Sequence, residues 1–163
     1  MQTIKFINDK QNFGVILPGE ILDEMHEMCI RSGAMETGGI LIGHYSSNNN
    51  WAIIARATEP PKGSRHFPVK FVRSSATTKK LLDNEWKQGQ YYLGEWHYHP
   101  NASPKPSKID YQTIVNLSRD SKLHCPEPVM IVVGGNVLRW KEYVGVFASG
   151  KEIVLKQIRL VDS

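Results

Sequence analysis

Cysteine is scarce in this chain: Cys29 and Cys125 are the only two in 163 residues. Two thiols do not make the disulfide framework of a small secreted domain. Cys29 falls on an apolar helical stripe and Cys125 in a proline-containing turn beside His124, so both read as buried structural thiols. Long apolar runs are missing. None approaches the roughly 18 residues of a membrane span, and the opening Met1-Gln-Thr-Ile-Lys5 lacks an apolar leader core. No membrane association is expected, and the cytoplasm is the expected compartment. A strong charge of one sign is missing too. A net charge of +4 helps contact with an acidic partner but does not call for nucleic acid. Repeats and linkers are not visible, so one domain over 1–163 is expected. With 40% apolar and 22% charged residues, such a domain has the composition to bury a core.

Periodicity supplies the elements. Ile21, Leu22, Met25, Met28 and Cys29 share a helical face over 20–32, and Gly33 is a suitable stop. Gly38-Gly39-Ile40-Leu41-Ile42-Gly43 and Trp51–Thr58 read as two strands around the polar loop 46–50. The Gly38-Gly39 pair reads as a turn or bulge, or as clearance for a substrate. Residues 59–73 form a proline-rich basic loop with Lys62, Arg65 and Lys70. A helix is expected over 75–88, with Leu81, Leu82 and Trp86 inward and Gly89 ending it. Strands follow at Tyr91–Tyr98, Val129–Val133, Val137–Phe147 and Ile153–Ile158, with a helix starting near Ser107. The order predicts an α/β sandwich, a mixed β-sheet flanked by helices.

The stretch that carries chemistry is Gly94-Glu95-Trp96-His97-Tyr98-His99-Pro100, followed by Ser107-Lys108-Ile109-Asp110. Alternate side chains of a strand share a face, so His97 and His99 point one way and Tyr98 the other. Ser107 and Asp110, three apart at a helix start, also share a face. Taken singly, a His-x-His is more often an ordinary pair of histidines, and Ser-x-x-Asp resembles a capping box. Taken together, two imidazoles and a carboxylate make three ligands with a fourth position for water, the pattern of a catalytic zinc site. Iron in an oxygenase could use the same set, but would leave Ser107 and Glu36 idle. Glu36, ahead of the glycine-rich strand, is the candidate proton acceptor. Glu95 is its rival and shares strand parity with the histidines, so it could instead be a partner of a ligand histidine.

Glu36, His97-Tyr98-His99-Pro100, the six residues 101–106 and Ser107-Lys108-Ile109-Asp110 resemble the JAMM motif of the JAB/MPN metalloprotease family, with matching spacing. Tyr98 departs from it, standing where serine or threonine is commoner. The resemblance spans roughly 15–147. It implies the MPN, cytidine-deaminase-like sandwich, with Zn2+ on His97, His99 and Asp110, Glu36 as catalytic base and Ser107 as oxyanion donor. It also implies a protein substrate: cleavage of a peptide or isopeptide bond after the C-terminus of a ubiquitin-like or otherwise conjugated protein. Small bacterial members of this type serve sulfur-carrier processing or sit in antiphage (CBASS-like) operons as deconjugating peptidases. The loop 59–73 and the short chain resemble the latter. Some MPN domains are non-catalytic scaffolds that lack the zinc residues; here every motif position is filled.

Overall fold

Helix α1 (Gly19–Ser32) organises the larger half of the core. Its stripe of Ile21, Leu22, Met25, Met28 and Cys29 is buried, and burying each such side chain contributes roughly 1.5–3 kcal/mol. Glu20 in the first turn and Arg31 in the last complement the helix dipole. The chain turns out at Gly33, whose φ of 64° suits glycine and whose N–H caps the Ile30 carbonyl. The computed structural model describes residues 2–59 and 76–158, so the basic loop, apart from Glu59, lies outside the described residues.

Around α1 runs a mixed nine-stranded sheet. Its strands are β1 (Thr3–Ile7), β2 (Gly14–Pro18), β3 (Thr37–Tyr45), β4 (Trp51–Ala57), β5 (Tyr91–Pro100), β6 (Val129–Asn136), β7 (Arg139–Ala148), β8 (Lys151–Val154) and β9 (Lys156–Ile158). Their spatial order is β8-β7-β6-β5-β3-β4-β2-β1-β9. The β2–β4 and β5–β6 pairs are parallel and the rest antiparallel. Helices α2 (Ala76–Lys87) and α3 (Lys108–Ser118) are the other helices among the described residues. One face of the sheet packs on α1 through Leu41, Leu93, Trp96, Tyr98, Ile131 and Val133. The other, with Ile40, Ile42, Met130 and Val132, packs on α3 through Ile114 and Leu117 and against Leu81 and Leu82 of α2. Among the described residues no helix is long and apolar enough to cross a membrane.

Several expectations need correction. The β1–β2 pair went unread: Thr3–Phe6 alternates over four residues only, and Val15-Ile16-Leu17 is a short apolar run with no period. The expected strand 153–158 is two strands that bend at Leu155, β8 pairing with β7 and β9 with β1. The strand expected from Val137 starts at Arg139, since residues 137 and 138 form the turn. Trp86 is 66% exposed rather than inward. Helix α2 instead turns Glu85 inward, where it pairs with Arg56 at 3.0 Å, and the next side chain swings about a quarter-turn away. Gly38 and Gly39 are neither turn nor bulge but lie within β3, with backbone carbonyls of Trp96 and Thr58 where side chains would be.

One irregularity matters for the site. The β3–β5 register passes from Leu41↔Gly94 to Ile42↔Tyr92, so Leu93 is an extra residue in β5. The bulge inverts side-chain parity. Gly94, at φ 150°, packs against the Val129 carbonyl with no room for a side chain. As a result Tyr92 and Glu95 share a face, while Leu93, Trp96 and Tyr98 line the α1 side.

Candidate metal centre

Beyond the bulge, β5 delivers Glu95, His97 and His99 to one face, as strand parity requires. Tyr98 points into the α1 core and donates its hydroxyl to the Gly135 carbonyl at 3.1 Å. The strand ends at Pro100, and residues 101–106 carry the chain to α3. Backbone bonds of 2.9 Å from Asn101 N–H to Gly135 O and from Gly135 N–H to Ala102 O tie that loop to β6. The Asn136 side chain adds a bond to Asn101 at 3.0 Å. Ser107 then caps α3: its Oγ accepts from the Asp110 N–H at 3.1 Å, and its own N–H donates to Asp110 Oδ2 at 2.7 Å. The capping box is real, and it is also what aims Asp110.

Asp110 is where the two segments meet. His97 Nδ1 lies 2.9 Å from Oδ1, and His99 Nε2 lies 3.3 Å from Oδ2. His97 and Asp110 are both buried. Burial opposes charge on His97, but its contacts with Asp110 and Glu95 outweigh this and raise its pKa to about 9. Contact with Asp110 raises the His99 pKa as well. Burial likewise works against the Asp110 charge, yet the two imidazoles hold its carboxyl well below the usual carboxylate range.

Of the expected base residues, Glu36 is exposed and sits just before β3. The antiparallel register Thr37↔Tyr98, continued by one residue, sets Glu36 opposite His99, whose pKa its charge helps to raise. Glu95 is fully buried and faces His97 Nε2 at 3.7 Å, on the side of the ring away from Asp110. It is therefore poorly placed to serve an open catalytic face, which weighs against it as a base. One partner carried no side-chain signal: the Ser103 carbonyl, which faces His99 Nδ1 at 3.2 Å and leaves Nε2 toward Asp110. A main-chain oxygen could not have been picked out from residue types.

The profile of a family described as prokaryotic homologs of the JAB domain matches residues 18–143. The chain belongs to this family. Relatives of this JAB domain include a protein named CD-NTase/cGAS isopeptidase from Enterobacter hormaechei, 36% identical over 136 residues, which are 83% of this chain and 76% of that protein. A probable metalloprotease from Sinorhizobium fredii is 28% identical, over 76% of this chain and 77% of its own length. The solution structure of a Desulfitobacterium hafniense protein overlays with a TM-score of 0.59 at 15% identity, covering 88% of each chain, a likeness of fold. The JAB fold, a mixed sheet with helices, is thus the one expected.

Does this JAB domain suit a metal? Among the described residues no set of three or more histidine, cysteine, aspartate or glutamate side chains stands as a ready cage. Instead Asp110 closes directly on both imidazoles. The donor types nevertheless fit. Arms of 2.0–2.1 Å in a tetrahedral zinc site put neighbouring donor atoms about 3.3 Å apart, and His99 Nε2 lies 3.3 Å from Asp110 Oδ2. Among the described residues the buried His97 Nε2 has no hydrogen bond; it faces the Glu95 carboxylate at 3.7 Å, while Nδ1 contacts Asp110 at 2.9 Å. The cluster is built to gather positive charge at one carboxylate.

Proposed function

We propose that the protein is a JAMM-type zinc isopeptidase or peptidase that hydrolyses the bond after the C-terminus of a ubiquitin-like or otherwise conjugated protein. We further propose that it reverses conjugation in a bacterial antiphage system, with conjugates of a CD-NTase as the first substrates to test. The relatives named as an isopeptidase and a metalloprotease support this reading. The observation that carries it is the meeting of His97 and His99 on the Asp110 carboxylate, with Glu36 one register step away.

His97, His99 and Asp110 would hold the ion. When bound, zinc supplies a Lewis acid and brings the pKa of water toward roughly 7. Glu36, exposed at the mouth of the site, takes the proton of the attacking water and returns it to the departing amine. The Ser107 hydroxyl accepts the Asp110 N–H through a lone pair and keeps its own hydrogen free to donate to the developing oxyanion. Asp110 stays anionic because the Ser107 N–H and both imidazoles hold it so. Neither cysteine is needed, and both are buried.

The test is a cleavage assay on the zinc-loaded protein with a ubiquitin-like fusion and a CD-NTase conjugate, alongside the Glu36→Gln variant. Cleavage by the native chain, with none by a variant that still holds zinc, is the expected result. No cleavage of any conjugate by a chain that binds zinc would remove the hydrolase reading.

A further inference from the structure

Glu95 stands where an apolar residue would be ordinary. In register it is flanked by Ile40 of β3 and Met130 of β6, on the sheet face that packs against α3. It is 0% exposed. A carboxylate in such a place carries a large desolvation cost unless polar partners compensate it. Among the described residues, the polar groups facing it include the Tyr92 hydroxyl, which donates to Oε1 at 3.3 Å, and the far side of the His97 ring, whose Nε2 lies 3.7 Å from Oε2. The Tyr92 contact depends on the Leu93–Gly94 bulge, which brings Tyr92 onto the Glu95 face, whereas Glu95 and His97 share that face by strand parity.

The His97 imidazole is therefore held between two carboxylates, Asp110 at Nδ1 and Glu95 at Nε2. A neutral imidazole has one N–H and one lone pair. A carboxylate offers only lone pairs, so Glu95, 3.7 Å from Nε2, favours the tautomer that carries its N–H there. Nδ1, which contacts Asp110 directly at 2.9 Å here, would then have its lone pair for a cation placed between it and the carboxylate. We infer that Glu95, anchored by the Tyr92 hydroxyl, is a positioning residue that fixes the tautomer and tilt of His97, so that Nδ1 is presented to a cation beside Asp110. Glu95 is thereby not a base for the reaction but the buried partner of a ligand, a kind of contact whose loss typically costs 10–100-fold in metal affinity. This inference rests on the metal-centre reading above.

The experiment measures zinc affinity by chelator competition and the visible spectrum of the cobalt-loaded protein, for the native chain and for Glu95→Ala, Glu95→Gln and Tyr92→Phe. Thermal melting in EDTA is followed in parallel. Glu95→Ala should lose about 10–100-fold in zinc affinity and shift the cobalt bands. Glu95→Gln keeps an oxygen on the N–H side of the ring and should recover most of the affinity. Tyr92→Phe should bind several-fold more weakly than the native chain, with a melting temperature changed far less than a core truncation would change it. Native affinity and an unaltered cobalt spectrum in Glu95→Ala would overturn the inference, as would a Gln variant as weak as the Ala variant. If Glu95→Ala does not fold, native affinity in Tyr92→Phe overturns it instead. A native chain that takes up neither zinc nor cobalt sinks the metal reading itself, whereas native binding with an unaffected Glu95→Ala sinks this inference alone.

Discussion

Ser107 and Asp110 hold each other twice, the Ser107 N–H on Asp110 Oδ2 at 2.7 Å and the Asp110 N–H on Ser107 Oγ at 3.1 Å. One serine thus serves the helix with its lone pair and has a proton left for chemistry. Two substitutions separate these duties. Ser107→Ala should cost about 1 kcal/mol of stability, and Ser107→Gly only a few tenths, because glycine is a tolerable cap. Both should lower kcat by a similar 10²–10³-fold, the usual loss of one oxyanion donor. Urea denaturation beside steady-state kinetics reads the difference. Equal rates in the serine and glycine proteins would show that the hydroxyl does no more than cap.

Glu36 lies outside the buried cluster, so its loss should be felt in turnover alone. Glu36→Gln is expected to stay within about 0.5 kcal/mol of native stability, as surface changes do, to bind zinc stoichiometrically and to cleave nothing. Metal content by mass spectrometry together with the cleavage rate checks this. Substantial residual activity would return the search for the base to the rest of the site mouth.

Removing the two histidines should not be equivalent. His97 is buried between two carboxylates, whereas His99 is only half-buried. Both variants to alanine should lose the metal. In EDTA, however, His97→Ala should destabilise by about 3 kcal/mol or more, because it strands buried negative charge, and His99→Ala by roughly 1 kcal/mol. Denaturation midpoints of the metal-free proteins decide it, and equal midpoints would contradict the burial argument.

Cys29 and Cys125 are both buried, and burial pushes each thiol up to about 12. A thiol is reactive as the thiolate, so a disulfide-exchange reagent at pH 8 should label neither in the folded protein and both in guanidinium. Rapid labelling of the native protein would argue that the turn around Cys125 opens.

Much of this was legible in the sequence where one period dominates. The α1 stripe is an example: Ile21, Leu22, Met25, Met28 and Cys29 repeat at helical spacing and all are buried. The parity of Glu95, His97 and His99 held as well, because no bulge falls between them. It would have misled if extended back to Tyr92, since the extra residue at Leu93 inverts the pattern. Trp86 was misread because two helical faces compete at the end of α2 and the Arg56–Glu85 pair takes the inward one. The split at Leu155 was invisible because an exchange of strand partners leaves no mark on side-chain alternation. The convergence of Asp110 on both imidazoles required the tethered loop 101–106, whose ties are mostly main chain.

The pairing of β1 with β9 has a consequence for how the protein comes into being. Phe6 waits opposite Gln157, so β1 stays without one of its neighbours until nearly the whole described chain has been synthesised. Contacts of such long sequence separation are slow to form, and a nascent chain with that strand exposed is at its most vulnerable to aggregation. Late docking of β9 on β1, rather than formation of α1 or of the β3–β4 hairpin, is the step expected to limit the rate at which newly made protein reaches its native state.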